Sequence, residues 1–270
     1  MLDSRIDEKI NKHHPDQPDI KECVMKKYVN IGVLFGVVAL LIISSCNKSN
    51  PASPGVTRHC LFVSAAPDPG DLKDSIVIAK LRSWKYVVTV ASSFSLSTMT
   101  ADSFALYDFA FLSETPNSSD YWPLKGHPLP LLNLEAWATS KSSVLDWTNA
   151  SGITVANWDT LPCIIVDSTK SQLSAGFPKG KEFKLASNTI VPGEAEIGFN
   201  PTIKVIPIAT FRDTSLFVAC AVDSGTLLAD SMTISKNRAV TIGIHQNAYQ
   251  FITDDAYKLI QAGIHWILKE

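Results

Sequence analysis

The chain has 270 residues, 46% hydrophobic and 19% charged, with 13 Gly and 15 Pro, a balance that excludes the disordered, collagen-like and coiled-coil classes. Basic and acidic side chains number 24 and 26, for a net charge of −2, so no cationic excess exists to neutralise a phosphate backbone and nucleic-acid partners are disfavoured.

Residues 1–24 are polar and charged, unlike a secretory leader, and read as an over-called start or a disordered leader. Met25-Lys26-Lys27 then supplies a positive segment, and Ile31 to Ile43 is a 13-residue run without a charge. That run is shorter than the ~20 residues a membrane-crossing helix takes. It fits the apolar core of a signal peptide, with a genuine membrane anchor as the alternative. Ile43-Ser44-Ser45-Cys46, which follows, resembles a bacterial lipobox. The resemblance implies cleavage before Cys46 and acylation of that residue, hence a membrane-anchored lipoprotein facing the periplasm or cell exterior. Several acyl chains, at ~0.8 kcal/mol per buried CH₂, hold a protein firmly. Residues 25–45 are then the signal peptide, 46–57 a Ser/Pro/Asn tether and 58–270 the folded domain. Removing residues 1–45 leaves 18 basic against 20 acidic groups, again −2.

Cys60, Cys163 and Cys220 remain in that domain, each within an apolar run and without zinc spacing, which predicts buried, inert thiols and no metal site. A disulfide between two of them is left open.

His59 to Ala65 is a short apolar run of the kind that fills a doubly covered strand. Asp71 can cap a helix in which Asp74 sits in the first turn and Leu72, Ile76, Val77, Leu81 and Trp84 recur at helical spacing. Tyr86 to Ala91 and Phe109 to Ser113 read as strands, with a short helix over Thr100 to Tyr107 between them. Leu129 to Leu134 is a fourth strand weakened by Pro130, followed by a Ser-rich, poor helix after Glu135. Beyond Gly152 come short strand candidates at Cys163–Val166, Glu182–Ala186, Ile203–Ala209, Ser215–Val222 and Ala239–Ile244. A strong amphipathic helix opens at Thr253-Asp254-Asp255, with Ala256, Leu259, Ile260, Gly263, Ile264 and Ile267 on one face. Strand–helix–strand alternation requires a parallel sheet. The expectation is an α/β fold: an open, mostly parallel, flavodoxin-like sheet with helices on both faces and an antiparallel portion around residues 160–225.

In order, the words LFVSAAP, DSIVIAKLRSWKYVVTV, DFAFLSE, LPLLNLEAWA and AVTIGIHQNAYQFITDDAYKLIQAGIHWIL resemble secreted bacterial domains related to class I glutamine amidotransferases and trehalose-utilisation (ThuA-like) proteins. The likeness covers about residues 59–270. It implies a nucleophilic cysteine on a sharp turn after a central strand. Here that strand is Leu129–Leu134 and the next residues are Glu135-Ala136-Trp137, so glutamine hydrolysis by the usual route is not expected. Ser64-Ala65-Ala66-Pro67-Asp68-Pro69 offers prolines and an acid where a flavin phosphate needs N–H donors, and no G-x-G-x-x-G or P-loop is present, so no nucleotide or other cofactor is expected.

Ligands of open parallel sheets settle at the carboxyl ends of the strands. This gathers Asp68, Ser113, Glu114, Glu135, His245, Gln246 and Asn247. Glu114, Glu135 and His245 are the candidate catalytic residues, with His245 as acid or base and a carboxylate orienting it. Asp68, Ser113, Gln246 and Asn247 are candidate ligand contacts. The alternative is structural: Glu114 turning a loop, Glu135 capping a helix and His245 bonding backbone. Trp122, Trp137, Trp147 and Trp158 lie in loop or helix-edge settings where flat rings stack on sugars, though core packing is commoner. His127, between Gly126 and Pro128, is expected to be exposed. The reading is a binding or accessory module with carbohydrate as candidate ligand; the alternative is a glycan or ester hydrolase using Glu114, Glu135 and His245.

Overall fold

A computed structural model describes residues 56–66, 72–140, 143–148, 153–155, 162–167, 169–170, 172–187, 195–212 and 214–270, with backbone alone at Leu72 and 153–155. The lipobox, Asp68, Asp71 and Trp158 lie outside the described residues. Residues Thr57–Glu270 make one compact unit. No helix among the described residues is long and apolar enough to cross a membrane.

Among the described residues, eleven strands build one sheet. Strands β1 (His59–Ser64), β2 (Val87–Ser92), β3 (Phe109–Leu112), β4 (Leu131–Asn133) and β11 (Ala239–Ile242) pair parallel in the order β2-β1-β3-β4-β11. This is the expected flavodoxin-like half. Beyond β11 the pairing turns antiparallel through β10 (Phe217–Val222), β9 (Ile206–Phe211), β6 (Cys163–Ile165) and β7 (Glu182–Phe183). Two strands the sequence did not announce, β5 (Ile153–Val155) and β8 (Ile197–Phe199), pair with each other, and β8 also meets β10.

The inner parallel strands β1, β3, β4 and β11 are buried on nearly every residue because both sheet faces are covered, while the edge strand β2 is half-exposed. On one face α1 (Leu72–Ser83) presents Val77, Ile78 and Leu81, and α3 (Asp254–Leu268) presents Leu259, Ile260 and Ile264, against Phe62, Phe111, Leu132 and Val240. Phe62 and Phe111 stack with centroids 5.2 Å apart; burying one such ring contributes ~2–3 kcal/mol. Helix α3 starts where expected: the Thr253 hydroxyl accepts from Ala256 N–H at 3.1 Å, with Asp254 and Asp255 on the positive end of the dipole. The other face is covered by the short α2 (Ala101–Phe104) and by 3₁₀ turns, which bring Leu96, Phe104, Tyr121 and Leu124 onto Leu61, Val63, Ala110 and Leu112, joined by Trp147 from a loop. The weak helix after Glu135 is a single 3₁₀ turn, Ala136–Thr139.

Cys60, Cys163 and Cys220 are free and buried, and burial pushes all three thiols up. His127 departs from expectation: it is fully buried in a left-handed backbone conformation (φ 56°). Its Nδ1 meets Ser235 Oγ and its ring stands edge-on to Trp147 at 6.2 Å. The segment before β11 folds over the Gly-His-Pro turn and removes it from water.

Candidate functional site

Register puts the carboxyl ends of β1, β3, β4 and β11 side by side, so the residues just past them form one rim. Each follows a strand too short to carry it into the sheet: Ser113-Glu114 after β3, Glu135 after β4, and His245 after β11. His245 caps a 3₁₀ turn over Gln246–Phe251, its Nδ1 accepting from Asn247 N–H at 3.2 Å. The Nδ1 lone pair is thereby used, and in the neutral ring the proton belongs on Nε2. Nε2 lies 3.4 Å from Glu114 Oε1. Glu114 Oε2 accepts from Gln246 N–H at 2.8 Å, and the Glu114 N–H donates to Tyr249 Oη at 2.8 Å.

Glu135 is brought into the same group. Asn133 folds the chain there: its Oδ1 accepts from Glu135 N–H at 3.1 Å, and its Nδ2 donates to the Glu135 carbonyl at 2.8 Å. Glu135 Oε1 accepts from Trp137 N–H at 2.7 Å. Burial, and next the nearby Glu114 charge, hold the Glu135 carboxyl well above the ordinary carboxylate range, against the Trp137 bond. Burial and the neighbouring Glu114 favour the protonated form of Glu135, while Glu114 faces the His245 Nε2 and the Gln246 N–H. Glu114 and Glu135 are buried, and the His245 side chain, 13% exposed, is the member that reaches solvent. Such a cluster can donate and accept hydrogen bonds at adjacent points, or move a proton between them.

The expected ligand contacts divide. Gln246 and Asn247 stand at the rim, but Lys73 Nζ donates to Gln246 Oε1 and Asn247 Oδ1, both at 3.1 Å. Ser113 is fully buried, its hydroxyl donating to Asp74 Oδ1. Asp68 lies outside the described residues. Trp137 is 40% exposed beside Glu135, Trp122 is 55% exposed with Lys125 Nζ 4.6 Å above its ring, and Trp147 is core.

Asp74 and two tyrosines support the rim and escaped sequence reasoning. Asp74, fully buried, accepts from the hydroxyls of Ser64, Ser113 and Thr115, tying the ends of β1 and β3 to α1. Its spacing to Val77, Ile78 and Leu81 puts it on the buried stripe of that helix, a signal available in the sequence. Tyr249 receives the Glu114 N–H, and Tyr121 donates to the Ser113 carbonyl. Burial, reinforced by the surrounding carboxylates, pushes both phenols up, so they stay neutral.

A scan against protein-family models finds no match, and a search of curated proteins finds none. Among solved structures, the chain is similar to a protein of Bacteroides uniformis described as ThuA-like, with a TM-score of 0.50 at 9% identity, over 82% of this chain and 95% of that one. At that identity the likeness concerns the fold, and the chain has a ThuA-like α/β fold.

Proposed function

We propose that the protein is a lipid-anchored, extracytoplasmic binding or accessory module that takes carbohydrate at the Glu114, Glu135 and His245 rim and does not perform glutamine hydrolysis. The observation that carries this reading is Glu135. Where the family resemblance implies a nucleophile on a strained elbow, this chain has a carboxylic acid with extended backbone (φ −79°, ψ 95°). The three described thiols are buried and held protonated, so none serves instead. Two buried carboxyls and an imidazole beside the half-exposed Trp137 ring suit a hydroxyl-rich ligand with a flat apolar face. The anchor rests on the lipobox at Cys46.

A second reading has one specific support: two carboxyls at one rim in unequal settings, Glu135 raised by burial and Glu114 set against an imidazole and a backbone N–H, the kind of pair that acid–base cleavage of a glycoside or ester uses. Glycan-array binding and chromogenic glycoside and ester assays on the wild type, Glu135→Gln and His245→Ala separate the two. The binding reading expects no turnover and an affinity loss of about tenfold or more in each variant. Wild-type turnover, lost in the variants at unchanged affinity, establishes the hydrolase instead. Absence of any glycan bound removes carbohydrate from the proposal.

Anchoring has its own check. A Cys46→Ala chain is expected to leave the membrane fraction and to change electrophoretic mobility; unchanged recovery and mobility contradict the lipid site.

A further inference from the structure

The five parallel strands start at one edge of the sheet, and the segments leading into them form the end of the domain opposite the Glu114 and His245 rim. The carboxyl end of α3 finishes there too, since Arg238 Nη1 donates to the Trp266 carbonyl and Arg58 Nε to Glu270, and α1 turns there into β2, where the Val87 N–H donates to the Arg58 carbonyl. Two properties set this end apart. Leu106, Leu227, Met232 and Ile234 are 72, 50, 82 and 56% exposed on it, although such side chains are ordinarily covered.

Its charges are also unbalanced. Asp108 and Glu270 are paired with Arg58, Asp223 with Arg238, and Asp230 with Lys125. Lys85, Lys204, Lys236 and Lys269 are exposed there, and among the described residues none has an acidic partner within 4 Å. At the opposite rim Asp74, Glu114 and Glu135 are buried, and Lys73 is engaged by Gln246 and Asn247. A chain of net charge −2 thus presents apolar side chains and unneutralised lysines together at one end.

We propose that this end lies on a bilayer of anionic phospholipid, with the apolar side chains in the headgroup boundary and the four lysines against phosphates, leaving the rim facing away from the membrane. Apolar insertion and lysine–phosphate attraction are the two forces that hold interfacial proteins. Thr57 and Arg58 enter β1 at this end, so the segment from Cys46 arrives there. Nine residues lie between Cys46 and Val56, a reach of at most ~35 Å. A second copy of the chain is a poor occupant, because it would set four lysines against four. The proposal rests on the lipoprotein reading for how the domain reaches the membrane; the face itself is argued from the domain surface.

Lysine acylation by a water-soluble amine reagent, read by mass spectrometry on the full chain, tests it. The chain is placed on phosphatidylglycerol vesicles, on phosphatidylcholine vesicles, or left free. Lys236 and Lys269 are expected to react several-fold more slowly on phosphatidylglycerol than on phosphatidylcholine. Lys184, exposed beside the start of α3 at the other end, should be unchanged. Lys236→Glu with Lys269→Glu should remove the protection of Lys85 and Lys204. Equal rates on the two lipids, protection of Lys184, or concentration-dependent protection without vesicles each overturn the proposal. Sedimentation with vesicles in 1 M salt reports the anchor separately. A chain that stays in solution there lacks the lipid, yet its low-salt protection on phosphatidylglycerol still decides the face.

Discussion

Replacing Gly243 with alanine is expected to destabilise the protein by about 3 kcal/mol. Just past β11 the chain leaves β10 and passes under β8, where the Ile197 N–H donates to the Gly243 carbonyl at 3.0 Å and the Gly243 N–H donates to Val218 at 2.8 Å. A Cβ at this position would stand 2.1 Å from the Ile197 carbonyl oxygen and 3.1 Å from its carbon. Both obstacles are backbone, so no rotamer change relieves the clash and one strand must move. Two residues later His245 N–H donates to the Ala195 carbonyl at 2.9 Å, so displacement also pulls the imidazole from its 3.4 Å approach to Glu114. Urea unfolding should show a lower midpoint at an unchanged slope, together with weakened ligand binding. A midpoint within error of wild type would mean that β8 can yield without cost.

The same local accounting explains what the sequence disclosed. Runs such as Leu61-Phe62-Val63 and Phe109-Ala110-Phe111 are apolar at every position because both sheet faces are covered, so strand, parallel pairing and layer order follow from pattern. Strands β5 and β8 were not legible: three residues each, they owe their existence to partners far along the chain. Gly198 in β8 is required by crowding, since a Cβ there would lie 2.9 Å from the Phe211 ring, and no local signal foretells that. Glu114, Glu135 and His245 were legible as a group because each comes within three residues of a strand end, and parallel strands share a carboxyl edge. Asp74 was missed because an acid in a first helical turn already has a sufficient local reason, the helix dipole. Tyr249 was missed because a tyrosine in Gln-Asn-Ala-Tyr-Gln-Phe reads as packing, while its hydroxyl serves a backbone more than a hundred residues away. His127 was misread for the same reason of distance: Ser235, which covers it, is 108 residues away.

Two buried groups outside the rim should give stability opposite slopes with pH, and single substitutions should expose each. Glu196 is 1% exposed; its Oε1 accepts from the N–H groups of Leu185 and Ala186 at 3.0 Å each, and its Oε2 lies 3.9 Å from Cys163 Sγ. Burial outweighs those bonds and pushes its carboxyl up from 4.5 to about 7. Between those values the folded chain keeps a proton that the unfolded chain has released, so stability falls as pH rises through the window, by about 3 kcal/mol in all. His127 behaves inversely. Burial lowers it from 6.5 to about 4, against a backbone bond to Asn237. As pH falls through that range the unfolded chain gains a proton the folded chain refuses, and stability drops by a similar ~3 kcal/mol. Across pH 4.5 to 6.5 the two slopes oppose each other and largely cancel, with Glu135 adding a loss of the Glu196 sign above 4.5. In Glu196→Gln the amide oxygen can still accept both N–H groups, so that variant should gain on wild type by about 3 kcal/mol between pH 4.5 and 7. His127→Asn, which tolerates the left-handed backbone, should gain by a similar amount between pH 6.5 and 4. Denaturant midpoints of the three proteins at half-unit pH steps read both differences directly. A Glu196→Gln curve running parallel to wild type would show that the carboxyl is already ionised in the fold, and that the Leu185 and Ala186 N–H groups outweigh its burial.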